Sequence, residues 1–226
     1  MMDWPALWLT ARLALVTSGV LLGIGVPLAW WLATTRWRGR IFVESVVALP
    51  LVLPPTVIGF YVLIFLGPKG ALGRWVEGVI GHPLPFSFAG LVIASVLYSL
   101  PFAVQPFTAG FRAVPRELLE AAWSVGATRA RTFFRIAVPL AWPGLLAGVV
   151  LSFAHTLGEF GVVLMVGGNI PGVTRTVSVS IYDAVQGLDY ESAGRTAAVL
   201  LLISFAILSA TYALQRDFRL APTRPR

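Results

Sequence analysis

Four stretches of the chain, 13–35, 45–66, 86–111 and 196–215, contain no Asp, Glu, Lys or Arg. A fifth, fourth in chain order, begins at Ile136 and stays free of ionisable residues to Ala154. It then meets His155 and Glu159 and remains largely apolar to about Gly168. A helix crossing about 30 Å of hydrocarbon needs about 20 apolar residues. The pattern therefore predicts an all-α integral membrane protein with a single transmembrane domain over 1–226. Its five spans fall at about 13–35, 45–66, 86–111, 136–168 and 196–215. A sixth span follows if the long fourth stretch breaks, or if the Gly- and Pro-interrupted region 163–179 re-enters.

The most charged part of the chain lies between the third and fourth spans, over 112–135. Pro115 suits the first turn of a helix, with Glu117 and Glu120 near its positive end. Leu118, Ala122 and Val125 recur at helical spacing, and Leu119 and Trp123 add a second apolar row. Gly126 suits a left-handed stop. Thr128 then caps a second short helix over 129–136, which Pro139 ends. The pattern describes a knuckle of two short amphipathic helices, or equally a pair of helices lying on lipid headgroups.

Prolines are clustered inside the spans: Pro50, Pro54 and Pro55 in the second, Pro101 and Pro106 in the third, Pro139 and Pro143 at the start of the fourth. Each removes a backbone donor, and in a bilayer the freed carbonyl must face protein or a water-filled cavity. The run Leu49–Pro55 favours a helix shaped around a pathway over ordinary membrane-helix proline.

Composition agrees with the pattern and excludes several classes. Hydrophobic residues make up 57% of the chain and charged residues 12%, against about 25% charged in soluble domains. There is no Cys, so no disulfide and no Cys-ligated metal, and the two histidines, His82 and His155, are far apart. No metal site is expected. The single Lys, Lys69, precedes Gly70 rather than Ser or Thr, so the chain lacks a phosphate-binding P-loop.

The net charge of +7 reads as topology. Arg36, Arg38, Arg40, Arg112, Arg116, Arg129, Arg131, Arg135, Arg216, Arg219, Arg224 and Arg226 fall on one side, and Arg12, Lys69, Arg74, Arg175 and Arg195 on the other. Cytoplasmic loops accumulate Lys and Arg, which sets the N-terminus outside and the C-terminus inside. No nucleic-acid surface is implied. The first apolar run is too long for a signal-peptide core, and a basic cluster follows it where a cleavage site would stand, so it reads as a retained helix.

The knuckle carries a fixed-spacing motif. Glu120-Ala121-Ala122, three residues, Gly126, nine residues, Ile136, one residue, then Val138-Pro139 resembles the E-A-A-x3-G-x9-I-x-L-P signature of ABC importer permeases. Val138 stands where the pattern has Leu. In that family the loop, here about 112–138, is a coupling helix that docks on a cytoplasmic ATPase. The resemblance implies that Ala121 and Ala122 permit close approach, Gly126 makes the turn, and Glu120 offers a carboxylate to the partner or a neighbouring loop. Trp123 is either an apolar anchor or packs back on the membrane helices.

The resemblance extends along the chain. L-P-L-V-L-P-P-T-V-I-G-F at 49–60, L-G-E-F-G at 157–161, G-N-I-P-G at 168–172 and T-R-T at 174–176 resemble the molybdate permeases, with sulfate and tungstate permeases as close relatives. It implies a prokaryotic inner-membrane subunit that forms a homodimer, binds no cofactor itself, and works with an ATPase dimer carrying ATP and Mg. An external oxyanion-binding protein would deliver the substrate. The alternative from another class is a secondary transporter or channel that works without ATP. An intramembrane enzyme lacks any paired Asp, Ser/His or metal-ligand cluster inside the spans.

His155 and Glu159, at i and i+4, are the ionisable groups of the spans. They serve in helix packing, bonded to each other or to a neighbouring helix, in lining the outer pathway, or in proton relay. Pro54 and Pro55 are grouped with them as pathway or packing residues. Asn169 and Arg175 should lie near the outer mouth. There Arg175 would meet the binding protein, attract the anion, or form an ordinary salt bridge with a residue such as Asp183.

Overall fold

The structure, a computed structural model, describes residues 2–220; Arg224 and Arg226, counted above among the basic residues, lie outside the described residues. Every regular element described is helical. Helix α1 (Trp4–Thr34) begins nine residues before the predicted span, because Arg12 does not interrupt it. The Arg12 guanidinium sits 4.4 Å from the centre of the Phe88 ring, which shelters the charge. Asp3 caps the helix, its carboxylate accepting from the Ala6 N–H at 3.0 Å.

The second predicted span is not one straight helix. Helix α2 (Arg40–Ala48) runs into a tight turn at Leu49–Leu51, and α3 (Pro55–Leu66) departs at 109° to it. Pro54 is extended, with ψ 138°, as the residue before a proline must be. After α4 (Ala71–Ile80), helix α5 (Phe88–Arg112) carries Pro101 and Pro106 without breaking.

The knuckle follows as α6 (Arg116–Ser124) and α7 (Arg129–Thr132). Pro115 stands just before the first turn rather than inside it. The second short helix does not stop at Pro139. It continues through a wider π turn at Phe133–Ala137 into α8 (Val138–Gly158), giving one 30-residue helical run from Arg129. The widened turn falls where Pro139 has no N–H to offer the carbonyl one turn back, so the ladder is loosened instead of ended.

The long fourth stretch does break, at Glu159. Helix α9 (Gly161–Gly167) has seven residues and is too short to cross, at about 1.5 Å per residue. Helices α10 (Val177–Gln186) and α11 (Tyr190–Leu220) complete the described residues. Among the described residues four helices are long and apolar enough to cross a membrane, and the bent α2–α3 pair makes a fifth if it is one span. No sixth arises from the 163–179 region.

Helices α1, α5 and α8 form the packed centre. Phe107 of α5 is fully buried among Leu21, Ala29, Leu32, Ala141 and Leu145. A Cβ on Gly148 of α8 would lie 2.4 Å from one edge of its ring, and a Cβ on Gly25 of α1 would lie 3.2 Å from the other. One turn toward the knuckle, α5 and α8 touch backbone to backbone: a Cβ on Gly144 would meet the Gly110 Cα at 2.6 Å. Small residues permit such crossings where no hydrophobic force draws helices together. A second cluster joins α3 to α9 through Val62, Leu66, Val162 and Val166. By contrast α11 turns Leu201, Leu202 and Phe205 outward, as a lipid-facing or partner-facing helix does.

Gly144→Ala should therefore cost about 1–3 kcal/mol through overpacking, read as a lowered thermal unfolding midpoint of the purified protein in detergent. Gly19→Ala, where a Cβ meets nothing within 4 Å, should leave the midpoint unchanged or slightly raised.

Candidate functional site

Three groups of residues stand out along the axis of the bundle. At the end where α1 and α5 terminate, the knuckle turns at Gly126, which has φ +84°. The Gly126 N–H donates to the Trp123 carbonyl and the Ala127 N–H to the Ala122 carbonyl, each at 3.0 Å, so the turn closes α6 in a left-handed stop. Thr128 then caps α7, accepting from the Arg131 N–H at 3.2 Å. Leu119 is buried in the same cluster as Phe107, whereas Glu120 and Ala121 face outward and Val125 is 85% exposed at the tip. Ala121, Ala122, Gly126 and Ile136 line one hollow of about 550 Å³ between the two arms, with Arg131 and Arg135 at its side. Pro139 sits just beyond, at the start of α8.

In the middle, the two helix breaks meet. A Cβ on Gly161 would lie 2.8 Å from the Pro55 Cβ, so the bend at Pro54–Pro55 packs on the break after Gly158. Glu159 is 4% exposed, and its carboxylate faces the Ser95 hydroxyl of α5. Ser95 is itself fully buried. His155 and Glu159 are not one turn apart on a helix face, because α8 ends at Gly158 and Glu159 is extended, with ψ 130°. His155 bonds instead to the neighbouring helix: its Nδ1 and the Ser99 Oγ are 3.0 Å apart, and Ser99 also pairs with the Thr156 Oγ1 at 3.0 Å. The imidazole stacks on Phe102, with centroids 3.8 Å apart.

At the opposite end, Arg175 is held from three sides. Its Nε donates to the Asn169 Oδ1 at 2.6 Å, and its guanidinium lies 3.4 Å from Asp183 and 3.9 Å from Asp3. Ser180 donates to the same Asp3 carboxylate at 2.9 Å. Thr10 accepts from the Val177 N–H at 2.8 Å, pinning the start of α10 to α1. The cluster therefore ties the start of the chain to the 169–183 region, and two carboxylates neutralise the arginine. Asp3, Ser180, Ser99 and Phe102 were not singled out by sequence. Asp3 carried a signal as a capping residue before Pro5, but its second partner is 177 positions away.

Among the described residues no group of three or more His, Cys, Asp or Glu is placed to hold a metal ion. Ser99, which stands beside His155, is fully buried between α5 and α8. The arrangement offers a broken-helix centre and a protruding knuckle.

Comparison with known proteins agrees. A molybdenum transport system permease protein of Azotobacter vinelandii is 51% identical over 95% of both chains. A probable sulfate transport system permease protein of Zygnema circumcarinatum is 37% identical over 89% of this chain and 68% of its own length. The fold is similar to that of a methionine ABC transporter in inward-facing conformations, with a TM-score of 0.73 at 17% identity over 96% of this chain and 95% of that one. Residues 25–219 match the family described as the binding-protein-dependent transport system inner membrane component. The chain belongs to that family, as a multi-pass permease subunit of the inner membrane.

Proposed function

We propose that this chain is the membrane subunit of an ATP-driven importer that passes molybdate, or a related tetrahedral oxyanion, from an external binding protein into the cytoplasm. The observation that carries the reading is 51% identity, over 95% of both chains, to a permease named for molybdenum transport. Sulfate is the second reading, and the sulfate-named relative is more distant, with 68% of its length covered.

Two copies of the chain would enclose the pathway, with ATP and Mg held by a pair of partner ATPases. With the bent α2–α3 pair counted as one crossing the termini lie on opposite sides, and the excess of arginine on one side sets the N-terminus outside and the C-terminus inside. That places the knuckle, residues 112–138, in the cytoplasm and the Arg175 cluster at the outer mouth. The outward-facing Glu120 and Ala121 and the exposed tip at Val125 suit docking on the ATPase, while the buried Leu119 ties the docked element to the core. Arg175, already neutralised by Asp3 and Asp183, suits a structural role at the mouth better than capture of an anion. Affinity for the oxyanion then belongs to the binding protein. Pro54, Pro55, His155 and Glu159 shape the conduit where the two helix breaks meet.

Gly126→Val forces a β-branched residue into φ +84°, at about 1–2 kcal/mol. Transport per ATP hydrolysed by the reconstituted importer should fall several-fold, or the ATPase should dissociate. Normal stoichiometry with normal coupled transport would remove the coupling role from this loop. In liposomes holding the chain, its ATPase and its binding protein, molybdate uptake should require ATP and resist a tenfold excess of sulfate. Uptake driven by an ion gradient without ATP would contradict the importer reading, and equal competition by sulfate would contradict the substrate.

A further inference from the structure

Where α1 and α5 end, the knuckle folds back over them and leaves a cavity of about 310 Å³. Its walls bring together three arginines from three segments: Arg36 just after α1, Arg112 at the end of α5, and Arg116 at the start of α6. Arg112 is already paired, its guanidinium 2.5 Å from the Glu44 carboxylate. Arg36 and Arg116 form no ion pair among the described residues, and the one carboxylate in the lining is Glu120. After these charges offset one another, one positive charge remains, which is the charge that a single phosphodiester would neutralise.

The cavity continues on its apolar side. Thr34 and Trp123 line both this cavity and a neighbouring one of about 670 Å³, whose other walls are Trp30, Ala127, Thr128 and Arg129. A basic pocket thus opens beside a slot with two tryptophans and a further arginine, Arg129, at the end of the spanning helices. Tryptophan favours that level, and basic pockets between membrane helices bind the headgroups of anionic lipids. A free anion needs the arginines but has no use for the Trp30 and Trp123 rings beside them.

We propose that this cavity is a binding site for an anionic phospholipid, with the headgroup phosphate between Arg36 and Arg116 and an acyl chain against Trp30 and Trp123. The site depends on the helices crossing the bilayer and not on which oxyanion is imported. A lipid held there would bridge α1, α5 and α6, and so fasten the knuckle to the membrane surface.

The test is native mass spectrometry of the assembled importer, purified from mixed nanodiscs of phosphatidylglycerol and phosphatidylcholine. The unmodified protein should retain phosphatidylglycerol over phosphatidylcholine through delipidation. Arg36→Gln and Arg116→Gln should each lower that retention about fivefold, and Arg38→Gln, outside the cavity lining, should not. Equal retention of the two lipids by the unmodified protein would overturn the proposal without recourse to any variant. So would unchanged retention in both cavity variants, an equal loss in Arg38→Gln, or displacement of the lipid by millimolar inorganic phosphate.

Discussion

The ring of Phe107 is the contact on which the rest of the bundle depends. It stands on α5 and fills the space that two glycines leave, Gly148 on α8 at one edge and Gly25 on α1 at the other. In a bilayer, apolar side chains gain little by leaving lipid for protein, so helices associate through close shape fit. A ring seated between two missing side chains supplies that fit, and the backbone contact of Gly110 with Gly144 extends it toward the knuckle. Three spans are thereby fixed in register, and the loop joining α5 to α8 starts and ends at one clamped point.

That clamp gives the knuckle its mechanical meaning. Trp30, Phe111 and Phe133 come from α1, α5 and the π turn, and their ring centres lie 5.3–5.9 Å apart at the root of the knuckle. Leu119 is buried against the same core. Force applied at the exposed tip would reach α5 and α8 as a unit. The other half of the molecule is built differently, from a bend at Pro54 and a break after Gly158 that touch one another. A stiff post beside two apposed breaks suits a protein that must hold two arrangements.

Much of this was legible in the sequence because bilayers enforce simple rules. Uncharged runs marked the spans, and a glycine at a fixed distance from Glu120 marked the turn. What escaped were long-range compensations. Arg12 ended the apolar run on paper, yet α1 passes through it because Phe88 covers the guanidinium. Pro139 read as a stop, while the π turn before it absorbs the missing donor. His155 and Glu159 had the spacing of helix neighbours, but the chain becomes extended at Glu159 and turns His155 toward Ser99. The Arg175 cluster needed Asp3, and no local pattern joins residues so far apart.

The proposed role of the knuckle, a lever through which a cytoplasmic ATPase would move α5 and α8, is open to a direct test. The chain has no cysteine, so Val125→Cys at the tip introduces a single reactive thiol. Paired with a cysteine on the ATPase surface in membrane vesicles, it should cross-link from the cytoplasmic side, with a yield that differs between ATP-bound and nucleotide-free states. A thiol labelled by impermeant reagents from outside the cell, or one that never cross-links to the ATPase, would contradict the account.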